Sequence, residues 1–464
     1  MKWQQVKGWA GTHGVRSLVS YPLSVEDCIE SIEYAMEKSL TIIPVGSGYT
    51  FGDMILNQDN MVLNTTGMKR IISWDKSSGI IIVEPGVKVA DILLRCLPNN
   101  WVLSSIPGGL EITIGGAVSN NVHGKDSWKV GNFGDRVIKM KLLTSSRDII
   151  SIERSKNTDL FNAVVGGMGL IGIIVEITLQ LEKIPSAFVQ YSNISTKNIK
   201  ESLEVLEESK KENDFSIAWI DAFSKNLALG RGYVSIAKWI KNNEKIDSKR
   251  LSESLRMSKK IFDIFPAKPT WRLLRPFYNS INFKILNSLI YHRKKLKNQG
   301  LGKREILLFP EYYFMHNKIP NNNHVHRPHG FIEFQYLFPR DNGLHAITEC
   351  LSICQKFSYE PLVCAVKMHS LDDYFISFSE DGYSFNIDIP LNRDSYSTDK
   401  FVDILLNLTK KYNAKLHLAK DERLTHKMFK TMYPRHKDFI KIKNKMDPHG
   451  LYSSDLYQRL FKLS

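Results

Sequence analysis

One segment constrains this chain more than any other: Ile106-Pro-Gly-Gly-Leu-Glu-Ile-Thr-Ile-Gly-Gly-Ala-Val-Ser-Asn-Asn-Val-His-Gly-Lys125. It holds a Pro-Gly turn, the Gly115-Gly116 pair, two adjacent asparagines and a histidine, with few charges. Glycine at that density lets a backbone pass close to a flat or phosphorylated ligand, because no Cβ stands in the way. A second such loop precedes it, Pro44-Val-Gly-Ser-Gly-Tyr-Thr-Phe-Gly-Asp53, and a third follows, Gly166-Gly-Met-Gly-Leu-Ile-Gly172. Together the three loops predict a large bound cofactor.

Around these loops short strands alternate with helices. Ser24-Val-Glu-Asp27 predicts a helix start, with Val25, Cys28, Ile29, Ile32, Ala35 and Met36 on one face. Thr41 to Val45 reads as a buried strand, and Ile71 to Trp74 with Ile80 to Glu84 as a hairpin. Val89 to Leu97 reads as a helix, Val137 to Thr144 with Ile149 to Ile152 as another strand pair, and Asp159 to Val165 as a helix. Gly167-x-Gly169-x-x-Gly172 matches the dinucleotide fingerprint letter by letter, but that fingerprint needs a following helix whose amides hold the diphosphate. Here the β-branched run Ile171 to Leu181 follows, which is strand, so α+β architecture is favoured over a doubly wound sheet. After Pro185, charged helices (Thr196 to Asn213, Ala346 to Phe357) alternate with strands (Phe331 to Phe338, Tyr383 to Ile389). The expected division is a first domain at 1–185, a second at 186–410 with a basic insertion at 238–304, and a tail at 411–464 that returns to the first.

A chain of 464 residues fits two domains, and 43% hydrophobic content excludes wholesale disorder. Cys28, Cys96, Cys350, Cys354 and Cys364 are too few and scattered for a disulfide framework. Met1 to Thr12 has no signal-type apolar run, and no apolar stretch nears the roughly 18 residues of a membrane span. A reduced, cytoplasmic protein is expected, at most peripheral at the inner face of the membrane. The net charge of +15 gathers between Lys238 and Arg304, opposed only by Glu244, Asp247, Glu253 and Asp263. Basic residues there alternate with bulky apolar ones such as Trp271, Leu273, Phe277 and Leu289. Two readings stand: a surface lying on anionic lipid headgroups, or a solvated insertion that packs its apolar residues on its own domain. Nucleic acid is not expected, because no reading motif accompanies the charge. His324, His326 and His329 have no carboxylate at ligand spacing and read as a loop, so no metal is expected.

The order and wording of the glycine loops, with His417-Leu-Ala-Lys-Asp421 near the end, resemble the FAD-dependent oxidases of the vanillyl-alcohol-oxidase type. One branch of that family acts on a lipid-linked sugar. The resemblance begins at Gly8-Trp9 and is dense from Pro44 to Glu182 and from His417 to Leu460. It implies an α+β, two-domain FAD-binding (PCMH-type) fold with a cap of antiparallel sheet and helices. It makes Gly46, Ser47, Gly48, Tyr49, Thr50 and Asp53 the diphosphate loop, where a nest of backbone amides can hold the anion; a plain tight turn is the alternative. It places Gly108, Thr113, Gly115, Gly116, Asn120, Val122, His123, Ile174 and His417 at cofactor-contacting positions. Relatives that attach FAD covalently carry a histidine where this chain has Tyr49, so the resemblance implies non-covalent FAD.

His123 opens a His-Gly-Lys triplet shared with the lipid-linked-sugar branch. A lone histidine is usually structural, but between two glycine turns this one points to the flavin or the substrate. Lys420 alone would read as a surface charge; its apolar strand (Leu416, Leu418, Ala419) and the resemblance together make it the catalytic lysine at the flavin face, accepting a hydroxyl proton. Phe51, Glu333, Gln335, Lys367 and Asn386 are implied on the substrate side. Glu333 stands where the family has a second glutamine, Asn386 where it has a cysteine and Phe51 where it has a tyrosine. These departures surround the substrate and spare the flavin pocket. The implied reaction oxidises a secondary hydroxyl of a lipid-phosphate-linked or other glycoconjugate sugar. Its product would be a keto sugar for a separate short-chain reductase partner. The alternatives are a soluble alditol or aldonolactone oxidase, and a non-catalytic basic membrane-surface protein on the same scaffold.

Overall fold

The computed structural model describes every residue except 243, 262–263, 298–303, 315–320, 392–394 and 463–464. Phe262, Asp263 and residues 298–303 of the basic insertion therefore lie outside the described residues.

The N-terminal half carries two sheets. In the first, Lys2–Lys7 pairs antiparallel with Gly14–Ser20, which runs parallel to Met61–Asn64; that strand in turn runs parallel to Ile42–Val45. Helix Val25–Glu37 covers it. Ser24 Oγ accepts from the Asp27 amide at 3.1 Å and the Asp27 carboxylate accepts from the Ser24 amide at 3.2 Å, a reciprocal cap. Cys28, Ile32 and Ala35 are buried as expected, whereas Met36, in the final turn, is exposed. The second sheet is antiparallel, in the order Ile71–Asp75, Ile80–Val83, Ile173–Gln180, Val137–Leu143, Ile149–Glu153. Its central strand follows the Gly167-x-Gly169-x-x-Gly172 loop directly, so that glycine pattern opens no helix.

The C-terminal half is built on one eight-stranded sheet, in the order Glu305–Leu308, Phe188–Thr196, Gly232–Trp239, Phe215–Ile220, Cys364–His369, Gly382–Pro390, Phe331–Pro339, Lys415–Leu416. Strand Phe331–Pro339 is buried on both faces. Phe334, Tyr336 and Phe338 stack in a row with centroids 6.0 and 4.9 Å apart, and the Tyr336 hydroxyl donates to Leu405 O on helix Ser395–Lys411 at 2.9 Å. Alternation along a strand turns Phe331, Glu333 and Gln335 the other way, toward the N-terminal half.

Two expectations change. The predicted helix from Thr196 is shorter, Ile199–Ser209, because Phe188–Thr196 is strand and Asn198 supplies the cap, its carbonyl accepting from the Glu201 amide at 3.0 Å. The tail does not leave the second half at residue 411: Lys415–Leu416 is the edge strand of the large sheet, paired to Tyr336 and Leu337. The chain then packs on the first half. The Ile42 amide donates to Leu451 O at 2.7 Å, and buried Lys443 Nζ donates to Leu170 O at 3.1 Å and to the Asp447 carboxylate at 2.8 Å.

Candidate active site

Three elements converge where the two halves meet. The first is the odd-numbered face of Phe331–Pro339 with its neighbours. Register sets Gln335 opposite Asn386, Glu333 opposite Asp388 and Lys367 opposite Ser384, and opposed residues of an antiparallel pair share a face. Lys367 and His369, two apart on Cys364–His369, lie on that face as well. The second is the turn after Lys415–Leu416. Where the sequence predicts a strand past Leu416, residues 418–420 form a turn, and the Lys420 amide donates to His417 O at 3.0 Å. The His417 amide donates to Gln335 O at 3.0 Å, which anchors the turn on the sheet. The third is the Pro44–Asp53 loop, where the Phe51 amide donates to Ala419 O at 2.9 Å.

Lys420 Nζ ends in an ion pair with the Glu333 carboxylate and sits 4.8 Å from the centre of the Phe51 ring. Glu333 is only 6% exposed, so the pair works in a medium where charge interactions are strong. Gln335 Nε2 lies 3.2 Å from His123 Nε2. With the amide donating, His123 accepts at Nε2 and carries its proton at Nδ1, a buried atom that has no partner. His369, His417 and Phe378 pack around the same ring, with centroids 4.6, 5.7 and 5.8 Å from it. Burial first, then the nearby lysines and histidines, holds all three imidazoles neutral: His369 and His417 fall to about 3, and His123 falls well below its ordinary value. Burial, helped by the Lys420 charge, lowers Lys367 to about 8. Lys125 falls to about 7, again by burial and then by Lys367. Its Nζ donates to Tyr313 O at 2.9 Å. Asp388 is pushed well up by burial and by Glu333 beside it.

A Cβ on Gly46 would come 2.0 Å from Thr113 Oγ1, so the first loop lies directly on the second segment only because residue 46 is glycine. Gly108 has nothing within 4 Å of its missing Cβ, and Gly48, at φ +72°, has only Ile55 Cδ1 at 3.8 Å. Along the same path Thr50 Oγ1, Thr113 Oγ1, Asn120 Oδ1, His123 Nδ1 and Gln335 Oε1 are all buried without a hydrogen-bond partner. Each such orphan costs about 1–3 kcal/mol, so this row fits a bound polar group such as FAD. Tyr49 is partly buried, Val122 packs at the core edge, and Ile174 lines a small cavity with Ser119, Gly167 and Gly169.

Some predicted contacts are already committed elsewhere. Both oxygens of Asp53 bind Arg459, at 2.7 and 2.9 Å, so its carboxylate is a clamp point and does not face a diphosphate. Gly115 packs against Pro85, donating its amide to Pro85 O at 2.8 Å, while Gly116 faces only Thr113 Oγ1. Ser47 Oγ donates to Glu111 O. Asn386 accepts from the Ala365 amide at 3.0 Å, which ties it to its own sheet. His326 packs on Tyr278 and Phe331, and burial lowers it to about 4. Sequence reasoning passed over His369 and Asp388. The period-two spacing from Lys367 and Asn386 would have placed both on the same face.

A polar, glycine-lined cradle facing a sheet that presents a lysine–carboxylate pair fits an FAD-dependent oxidoreductase. Residues 17–152 match the family model described as FAD binding domain, and residues 317–460 match that described as D-arabinono-1,4-lactone oxidase. The chain is 26% identical to decaprenylphosphoryl-beta-D-ribose oxidase of Mycolicibacterium smegmatis, over 98% of this chain and 97% of that protein. It is 23% identical to L-gulonolactone oxidase of Bos taurus over 98% of both chains. L-galactono-1,4-lactone dehydrogenase of Arabidopsis thaliana shares 30% identity over 38% of this chain and 28% of its own length. Over nearly its whole length the chain is thus similar to oxidases that act on sugars and aldonolactones.

Proposed function

We propose that this protein holds FAD non-covalently and oxidises a secondary hydroxyl of a sugar carried on a lipid phosphate. The placement of Lys420 against Glu333 on the face shared by Gln335, Lys367 and His123 carries this reading. Thr50, Thr113, Asn120 and His123 would hold the cofactor through atoms that otherwise lack partners, and Gly46, Gly48 and Gly108 let it approach the backbone. FAD, when bound, supplies the acceptor for the two electrons that leave the carbinol carbon. Gln335 and Lys367 orient the sugar, with the Lys367 ammonium meeting its phosphate. The Lys420–Glu333 pair takes the hydroxyl proton: Lys420 Nζ passes one of its own protons to the Glu333 carboxylate as it accepts the one from the hydroxyl, so the pair ends with one proton more. Dissociable FAD follows from Tyr49, whose phenol stands where covalent attachment would need a histidine ring. The division of labour between 1–185, 186–410 and the tail belongs to the same proposal, with the tail first closing the sheet edge at Lys415–Leu416 and only then carrying Lys420 back to the cradle.

A second reading is favoured by one observation: the 317–460 match is to a lactone-oxidase module. Under it, Glu333, Asn386 and Phe51 suit an uncharged aldonolactone. Anaerobic titration of the yellow protein separates the two. A polyprenyl or short-chain glycosyl phosphate is expected to bleach the flavin band, and aldonolactones and alditols are not. Bleaching by lactones alone would overturn the lipid-phosphate reading, and a protein without flavin would overturn both.

A further inference from the structure

The basic insertion is inside out. Helix Ser280–Lys297 turns Asn287 and Tyr291 inward, both buried, and seats them on the large sheet. Arg231, on the strand side, donates to Ser288 Oγ at 3.2 Å and lies 4.6 Å over the Tyr291 ring. Its outward stripe is apolar: Ile281, Ile285, Leu289 and Leu296 repeat at helical spacing and face solvent, Ile281 with 74% of its surface exposed. Leu273 and Phe277, just before the helix, extend the patch at 73% and 62% exposed. An ordinary surface helix points its apolar stripe at the core. Among the described residues, 10 of the 25 exposed large apolar side chains fall between Ile264 and Leu296, so the patch is concentrated there. Patches of this kind mark interaction surfaces.

Charge says what covers it. From Ile264 to Arg304 the sequence has ten Lys or Arg and no Asp or Glu. Among the described residues, Arg272, Arg275, Lys284, Arg293 and Lys295 have no carboxylate within ion-pair distance. Apolar side chains ringed by unpaired cations match an anionic headgroup layer over acyl chains, which attracts each basic residue near its surface. No helix among the described residues is long and apolar enough to cross a membrane, so the match is to a surface. The patch also connects to the site. Tyr278 packs on Phe283 at 4.7 Å and on His326 at 5.0 Å; His326 packs on Phe331 at 4.7 Å, and Phe331 on Phe51 at 5.7 Å, the ring beneath Lys420.

We propose that the outward face of residues 264–296 seats on an anionic lipid bilayer and brings the active-site edge of the sheet to the lipid surface. This deepens the lipid-phosphate reading above and rests on it only for the purpose of the contact. The test is sedimentation of the full-length holoprotein, without substrate, with vesicles of equimolar phosphatidylcholine and phosphatidylglycerol. Wild type is expected to pellet with these vesicles, to be released by high salt, and to stay in solution with phosphatidylcholine alone. The triple variant Ile281→Ser, Ile285→Ser, Leu289→Ser removes only exposed apolar groups. Its partitioning should fall about tenfold or more, with bound flavin and its reduction by a short-chain soluble substrate unchanged. A wild type that ignores anionic vesicles overturns the proposal. So does a triple variant that binds them equally well, or binding to duplex DNA in place of vesicles. Vesicle binding without reduction by any lipid-linked sugar upholds the surface and refutes the substrate reading, so the two failures are distinguishable.

Discussion

Under the proposed function, Lys367 is a residue that trades stability for recognition. Burial and the neighbouring Lys420 charge bring it from an ordinary 10.5 to about 8. Its folded value lies below the unfolded one, so the unfolded chain binds more protons between the two. Protonation therefore opposes folding below about 8, and stability rises as pH climbs from there toward 10.5. Lys367→Met should gain about 1–3 kcal/mol at pH 7 in denaturant unfolding, because a partly buried charge is removed. The same variant should raise KM for a glycosyl phosphate about tenfold or more, with a smaller change in kcat. In the wild type that KM should rise above pH about 8, where the amine loses the charge that meets the phosphate. A KM flat from pH 7 to 9 would remove Lys367 from phosphate binding. At this scale the resemblance named Lys420, His123 and Gln335, and the fold brings Lys420 against Glu333 and Gln335 against His123. The resemblance could not show that Asp53 is taken by Arg459, since those residues lie far apart in sequence and only the folded tail joins them.

Among the elements, the C-terminal helix Asp455–Phe461 does the joining. Arg459 binds Asp53 at the end of the first glycine loop and the Asp421 carboxylate, at 3.1 Å, next to Lys420. One guanidinium thus ties the first glycine loop to the turn that carries Lys420, and its planar fork suits two carboxylates better than an ammonium would. Arg459→Met leaves two largely buried carboxylates without a counter-charge and should cost about 3–5 kcal/mol, with faster loss of FAD on gel filtration. Arg459→Lys should recover part of both. Retention of FAD and an unchanged melting temperature in Arg459→Met would show the clamp to be idle. Strands and hairpins before residue 185 were legible because alternation, β-branching and turn residues agree there. The turn at 418–420 reads as strand in the sequence because Leu416, Leu418 and Ala419 are apolar. Local pattern cannot tell a buried turn from a buried strand when tertiary hydrogen bonds decide the backbone.

At the scale of the molecule, the architecture follows from two facing surfaces. One is polar and glycine-rich, with orphaned donors and acceptors; the other is a sheet face that carries Glu333, Gln335, Lys367 and His369. The α+β class and the rejection of a helix after Gly172 were readable from sequence. The eight-strand order was not, since it depends on pairings between segments more than a hundred residues apart. The composition of the basic insertion pointed to an interface, but only the orientation of helix Ser280–Lys297 separated an outward apolar stripe from an ordinary packed one. The account as a whole turns on Lys420 as the group that takes the substrate's proton above the cradle. Anaerobic stopped-flow of Lys420→Ala beside wild type tests this most directly. The variant should retain its yellow colour and full FAD content while its flavin reduction slows by about 10²–10⁴-fold. Reduction at the wild-type rate in that variant would contradict the account.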